Sequence, residues 1–292
     1  MALEFDDRVL ECATLARRLA PARCRRDPVS GDDCSWYHGF WPYLRAIGIV
    51  TTPTSHAGFY GGVLEELAAT GDYRRVLVSG SADFTMLQHV FSAYAAAGAE
   101  LEPTFNDICE TPVALARWYA EAVGRPVDTC VSDILALDVA APFDVVCTHS
   151  FLGYFDDRQR AALMTKWHRL LRPGGKVVTI IRIRPDHPGG LVGFTDDQAA
   201  AFKARALEAA GKYRRHLDIS PAALAEDADR YARNFRINPL RSVGELERLF
   251  TDGGFAIDAL DLQSLPGHGR RAGSGPTTPD GAAYAHIVVT GK

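Results

Sequence analysis

RVLVSGSADFTML, residues Arg75 to Leu87, reads as a strand, a small-residue turn and the start of a helix. Arg75 to Ser79 is a short β-branched apolar run, the pattern of a buried strand. From Phe84 to Ala97 the apolar spacing and the alanines read as a helix. Between them, Gly80-Ser81-Ala82-Asp83 lets a ligand approach the backbone, with the N–H groups of the helix start facing it. A dinucleotide fingerprint G-x-G-x-x-G would need more glycine, and only Gly80 stands, with Ala82 in the second position. Taken alone, the turn is equally well a plain strand-to-helix connection. The chain around it decides.

Downstream, strands and helices alternate, which implies a parallel sheet with helices on both faces. Leu101 to Asp107 reads as the second strand, with Pro103 counting against its first half. Thr111-Pro112 reads as the N-cap and first residue of the next helix. Val127 to Val131 is the third strand and leads into Ser132-Asp133-Ile134; Phe143 to Thr148 is the fourth, followed by the loop His149 to Tyr154. A long amphipathic helix starts at Asp156. Arg172-Pro173-Gly174-Gly175 then turns into the fifth strand, Lys176 to Ile183. Helical stretches at Asp196–Ala210 and Pro221–Phe235 interrupt the rhythm. It resumes with a helix from Ser242 to Thr251, a strand from Phe255 to Leu262, a Gly/Pro-rich loop from Pro266 to Gly281 and a last strand, Tyr284 to Thr290. Before all this, residues 1 to 70 read as a helical lid segment. It is broken by Pro42, Pro53 and glycines 58, 61 and 62, and ends in an amphipathic helix from Gly61 to Thr70. The division expected is therefore 1–70 as N-terminal lid and 71–292 as an α/β domain carrying a helical cap insertion at 184–240.

The 292 residues, 47% hydrophobic and 23% charged, are those of a globular chain with ample core material. A net charge of -4 gives no pull toward nucleic acid. No run approaches the ~20 apolar residues of a membrane span, and the acidic start lacks a signal-peptide core. A cytoplasmic protein with reduced thiols is expected. The six cysteines include no C-x-x-C pair, and no histidine stands at zinc-finger spacing from any of them.

Ligands of an open parallel sheet sit beyond the carboxyl ends of its strands. Four such ends carry polar residues here: Gly80 to Asp83, Asp107, Asp133 and His149-Ser150. Asp107 stands 27 residues after Gly80, where a carboxylate accepts two hydrogen bonds from a vicinal diol. Its alternative is an acid complementing a helix dipole, and that of Asp133 is a loop cap. Together they fit an adenosine-shaped ligand. Ser35 to Tyr43, SWYHGFWPY, is either an aromatic packing cluster or a lid lining a small-molecule pocket.

These pieces resemble a class I S-adenosylmethionine-dependent methyltransferase over residues 60 to 292. The matching motifs are RVLVSGSADF, FNDICETPVALARWYA, VSDI, FDVVCTHSFLGYF and LLRPGGKVVTI, with RSVGELERLFTDGGFAI near the end. The resemblance implies a Rossmann-like, doubly wound, mostly parallel seven-stranded sheet with the last strand antiparallel. It implies S-adenosylmethionine as cofactor, with Gly80, Ser81, Ala82, Asp83 and Phe84 against its methionyl part. Asp107 and Ile108 would hold the ribose, Ser132, Asp133 and Ile134 the adenine, while His149 and Ser150 border the sulfonium. No metal is implied.

The chemistry expected is in-line methyl transfer to an O, N or C atom of a small-molecule acceptor, capped by the 184–238 insertion and the aromatic segment. His149 is the candidate base because its ordinary pKa is near neutral; a structural histidine is the alternative. His38 and Tyr154 are further catalytic candidates. Tyr37, Trp41, Tyr60, Arg182, Tyr231 and Phe235 are candidate acceptor-binding residues, and Arg184 and Arg236 extend the set. The sequence departs from the family where motif one has lost its later glycines and Val78 replaces the usual acid. A binding protein with a decayed site, or non-methyl use of the cofactor, therefore stays open. A nicotinamide oxidoreductase is disfavoured by the missing glycine motif. Homodimer formation is left open.

Overall fold

The structure is a computed structural model that describes residues 7–26, 31–185, 189–264 and 283–292. The loop expected at 266–281 lies outside them. The first strand, β1 (Arg75–Ser79), is buried along its length after the first residue. It pairs in parallel with β2 (Glu102–Asp107) on one side and β4 (Phe143–His149) on the other. β3 (Asp128–Val131) adds to β2, and β5 (Leu171–Ile183) adds to β4, also in parallel. β7 (Ala283–Gly291) runs antiparallel between β5 and β6 (Phe255–Ser264). The order β3-β2-β1-β4-β5-β7-β6 puts the topological switch point between β1 and β4, where such sheets open a ligand crevice. The expected seven-stranded, mostly parallel sheet with an antiparallel last strand is what the chain forms.

Pro103 fits inside β2 for a specific reason. The Glu102 N–H bonds Arg74 O on the β1 side, so the next nitrogen faces the β3 side. There β3 begins only at Asp128, opposite Thr104. The missing donor has no acceptor to disappoint.

Each face of the sheet carries its own core. On one, α4 (Ala57–Ala69), α5 (Thr85–Ala96) and α6 (Glu110–Ala122) bring Leu64, Val90 and Leu115 onto Val76 and Val78. On the other, α7 (Asp157–Leu170) and α10 (Val243–Asp252) bring Leu163, Trp167, Leu246 and Phe250 onto Leu77 and Val146. Each fully buried Leu or Val there contributes ~1.5–3 kcal/mol. A third cluster lies over the carboxyl ends of the strands. α1 (Asp7–Arg23) and the short α3 (Trp41–Ala46) meet α8 (Asp196–Lys212) and α9 (Pro221–Asn234), so that Phe40, Tyr43 and Leu44 pack with Phe202, Leu224 and Tyr231.

Two local readings change. Glycines 58, 61 and 62 do not break the chain but lie inside α4, because Tyr60, Leu64 and Ala68 form a buried stripe at four-residue spacing. Their packing outweighs the ~1 kcal/mol per glycine that propensity costs. The α6 helix starts at Glu110 with Cys109 as N-cap, not at Thr111; Thr111 is fully buried, and its hydroxyl lies 3.2 Å from the Cys24 thiol. By contrast, Asp156 caps α7 as its sequence suggests, accepting the Gln159 N–H at 2.8 Å in a capping box.

Candidate active site

The carboxyl ends of β1, β4 and β5 open into a cavity roofed by the third cluster. At its β1 wall, Gly80 takes φ +65, a conformation that favours glycine, and a Cβ there would run into the Phe151 ring. Ser81, Ala82 and Asp83 continue this wall. Asp83 is buried and fully engaged: it accepts the Thr85 N–H and hydroxyl and forms an ion pair at 3.2 Å with Arg45 of α3. The cap is thus tied directly to the first turn. At the β4 wall, Ser150 adopts φ 53, the left-handed region, the sole non-glycine residue among those described to do so. Such strain persists where surroundings enforce it, and it clusters at functional sites.

His149 shares that wall and its protonation can be derived. Tyr60 donates its one hydroxyl proton to Thr148 O at 2.8 Å. The 3.2 Å contact between Tyr60 Oη and His149 Nδ1 must therefore use a proton on Nδ1. Nε2 is left with its lone pair, buried and without a partner. Burial, with neighbouring His56, His89 and His286, pushes the His149 pKa down to about 3. The ring is neutral at physiological pH.

The roof is aromatic. Tyr37, in the short α2 (Ser35–His38), stacks on Trp41, Tyr231 and Phe235 with ring planes within 24° and centroids 5.4 to 6.4 Å apart. Its hydroxyl meets that of Tyr154 at 2.7 Å. Arg182, at the end of β5, and Arg184 line the opposite side. Burial and the adjacent Arg182 push Arg184 down to about 9, so it retains its charge at neutral pH.

Of the residues singled out in the sequence, the cavity brings together Gly80, Ser81, Ala82, Asp83, His149, Ser150, Tyr154, Tyr37, Trp41, Arg182, Arg184, Tyr231 and Phe235. The others stand elsewhere. Phe84 is fully buried and stacked on Tyr119 at 4.3 Å, so it faces the core and not the cavity. Tyr60 is likewise fully buried, behind His149. His38 is buried with its Nδ1 3.7 Å from the Cys24 thiol, turned away from the cavity toward a group of cysteines. Arg236 is exposed on the two-residue pairing of Val192–Gly193 with Arg236–Ile237. Asp107, at the end of β2, accepts the Cys109 N–H at 2.8 Å. Burial pushes its carboxyl up to about 6, partly offset by His38 and the Cys109 N–H. Ile108 and Asp133 are exposed, Asp133 accepting the Leu135 N–H, while Ser132 is half-buried and Ile134 is buried. These residues end β2 and β3, beside but outside the cavity's lining.

Several lining residues escaped the sequence reading. Thr51 and Tyr284 close one edge through a 2.8 Å hydroxyl contact, and Phe202, Asn238 and Leu240 come from the insertion and its return. Phe202 carried a signal, an aromatic on the apolar stripe of α8. Thr51 and Tyr284 carried none, being more than 230 residues apart.

Residues 88–175 match the family model described as a methyltransferase domain. The resemblance to methyltransferases stands. The matched stretch runs from α5 into β5, through both strand ends that carry Asp107 and His149. No curated protein matches the chain. Among solved structures, the chain is similar to magnesium protoporphyrin IX methyltransferase from Synechocystis PCC 6803 with bound S-adenosylmethionine. That match has 13% identity, full coverage of both chains and a TM-score of 0.49. It is also similar to the PH0226 protein from Pyrococcus horikoshii OT3, at 16% identity over 86% of this chain and 98% of the other, TM-score 0.49. The N-methyltransferase NodS from Bradyrhizobium japonicum WM9, in complex with S-adenosylhomocysteine, matches at 12% identity over 79% and 85%, TM-score 0.45. The strand order, rather than these superpositions, carries the assignment to a Rossmann-like fold.

Proposed function

We propose that the protein is an S-adenosylmethionine-dependent methyltransferase whose acceptor is a small molecule with a flat ring system and an anionic group. The observation that carries this reading is the pairing of an unpartnered, neutral His149 Nε2 with a stacked aromatic roof, in one cavity at the switch point. The residues present fit the cofactor. A carboxylate offers about four acceptor sites, so Asp107 keeps capacity for a ribose diol beyond its bond to Cys109. A neutral imidazole does not repel a sulfonium, as a charged one would.

S-Adenosylmethionine, when bound, supplies an electrophilic methyl group on sulfur. The backbone of Gly80 to Ala82 would hold its methionyl part, and Ser132 to Ile134 its adenine. His149 Nε2 accepts a hydrogen bond from the acceptor's O–H or N–H and so points the adjacent lone pair. With a pKa near 3 it orients that proton and does not hold it in the resting state. Tyr37, Trp41, Tyr231 and Phe235 stack on the acceptor ring and exclude water, which is where alignment-driven catalysis gains most. Arg182 and Arg184 pair with the anionic group.

Calorimetric titration with S-adenosylmethionine and S-adenosylhomocysteine tests the reading. Micromolar binding of both supports it, and no binding of either by folded protein overturns it. A second reading, a protein that keeps the fold without the reaction, is favoured by the Phe151 ring seated on Gly80 and by the Arg45 lock on Asp83. It predicts the second outcome.

A further inference from the structure

Four side chains that the sequence keeps apart meet beneath the N-terminal segment. Cys24 follows α1, Cys34 and His38 bracket α2, and Cys109 caps α6 in the turn after β2. Their donor atoms, three Sγ and one imidazole nitrogen, all lie within 4.8 Å of one another. Cys24, His38 and Cys109 are buried and Cys34 is half-buried.

The separations are those of a coordination shell. With Zn–S ≈ 2.3 Å and Zn–N ≈ 2.0–2.1 Å at tetrahedral angles, two sulfurs stand about 3.8 Å apart and a sulfur and nitrogen about 3.6 Å. Here Cys34 Sγ is 3.6 Å from Cys109 Sγ, and Cys24 Sγ is 3.7 Å from His38 Nδ1. Without an ion, three thiols and an imidazole would crowd around one point with few good hydrogen bonds among them, since thiols are weak donors and acceptors. The surroundings suit thiolates: the Thr111 hydroxyl is 3.2 Å from Cys24 Sγ, placed to donate to it.

We propose that Cys24, Cys34, His38 and Cys109 bind one Zn²⁺ in a closed Cys₃His site. All four positions are filled by protein, so no place remains for water or substrate and the ion's role is structural. Binding displaces three thiol protons and leaves the imidazole neutral. The ion would pin the end of α1 and the α2 segment, which carries Tyr37 of the roof, to the turn behind Asp107. The site does not depend on methyl transfer and would stand if that reading failed.

The test starts with protein purified under reducing conditions without chelator, desalted and assayed by plasma mass spectrometry. About one zinc per chain is expected, as for structural sites of this affinity, with a loss of most of it in Cys34→Ser and Cys109→Ser. Metal-free wild-type chain is then titrated with Co²⁺ under anaerobic conditions. A thiolate-to-cobalt charge-transfer band and intense tetrahedral ligand-field bands, bleached by one equivalent of Zn²⁺, are expected. This arm decides the matter even if the serine variants fail to fold. Folded wild-type protein that carries no zinc and gives no tetrahedral cobalt spectrum overturns the proposal. So does a Cys34–Cys109 disulfide found by mass spectrometry after alkylation of unreduced protein.

Discussion

Asp107 and His149 sit at the carboxyl ends of the two strands that flank β1 and respond to burial in opposite ways. Burial raises the carboxyl of Asp107 and lowers the imidazole of His149, since it disfavours the charged form of each. Replacing Asp107 with alanine should weaken S-adenosylmethionine binding by ~1.5–3 kcal/mol, the worth of charge-assisted hydrogen bonds, as read by calorimetry on a variant whose far-ultraviolet dichroism is unchanged. His149 and His89 carry a second consequence. Their folded pKa values, about 3 and about 4, lie below the 6.5 of an ordinary histidine. The unfolded chain therefore binds more protons between those limits. Stability should be intact above pH 6.5 and fall as the pH drops toward 4, each ring adding up to about 1.4 kcal/mol per pH unit. Urea midpoints at pH 7, 5.5 and 4.5 check this, and His89→Gln should flatten the slope.

At the scale of elements, Arg160 of α7 is the clearest case of a side chain that builds a loop. It is buried to 2% exposure and donates to Leu152 O at 3.1 Å and Asn238 O at 2.5 Å, joining the loop after β4 to the chain's return from the insertion. In Arg160→Leu the Asn238 carbonyl loses the guanidinium donor, at ~1–3 kcal/mol if it is left buried, while Leu152 O keeps the Phe155 N–H at 3.3 Å. A lowered urea midpoint with unchanged m-value is the expected result. The roof makes a separable prediction. Trp41 is half-buried and, among the described residues, stacks on Tyr37 alone, so Trp41→Ala should raise the acceptor KM several-fold and leave cofactor affinity unchanged. Loss of both would mean that the ring supports the turn at Gly80 instead. The roof was half legible in the sequence. SWYHGFWPY advertises its aromatics, and Tyr231 and Phe235 stand among the sequence's candidates, but Phe202, from a segment some 160 residues later, is missed. No local pattern records which two helices will face each other.

For the molecule as a whole, the sheet was readable because each strand is bounded by its own turn chemistry and each helix by its own stripe. Gly80 and Asp156 punctuate it where the fold needs them, whereas Arg172 to Gly175, which reads as a turn before the fifth strand, lies inside β5 as an irregularity of its pairing with β4, with Gly174 at φ +75. What escaped the reading depends on long-range closure. The α4 helix runs through three glycines on the strength of Tyr60, Leu64 and Ala68. The Cys24–Cys34–His38–Cys109 group draws its members from three segments, and its longest gap lies between His38 and Cys109. Spacing rules find groups of ligand-type side chains that are neighbours in sequence, not those assembled from the end of an inner strand and a distant helix. Helix spans were likewise extended or trimmed by a few residues, because terminal turns are set by caps and contacts rather than by periodicity.

The Arg45–Asp83 ion pair joins α3 of the roof to the first turn, with both side chains under 10% exposed. Parting such a pair leaves a buried carboxylate uncompensated, so the roof cannot lift while that turn stays undisturbed. In kinetic language, the cofactor and acceptor of the proposed reaction would share one door. On the proposed function, release of the spent nucleoside and exchange of the acceptor would then belong to a single opening event.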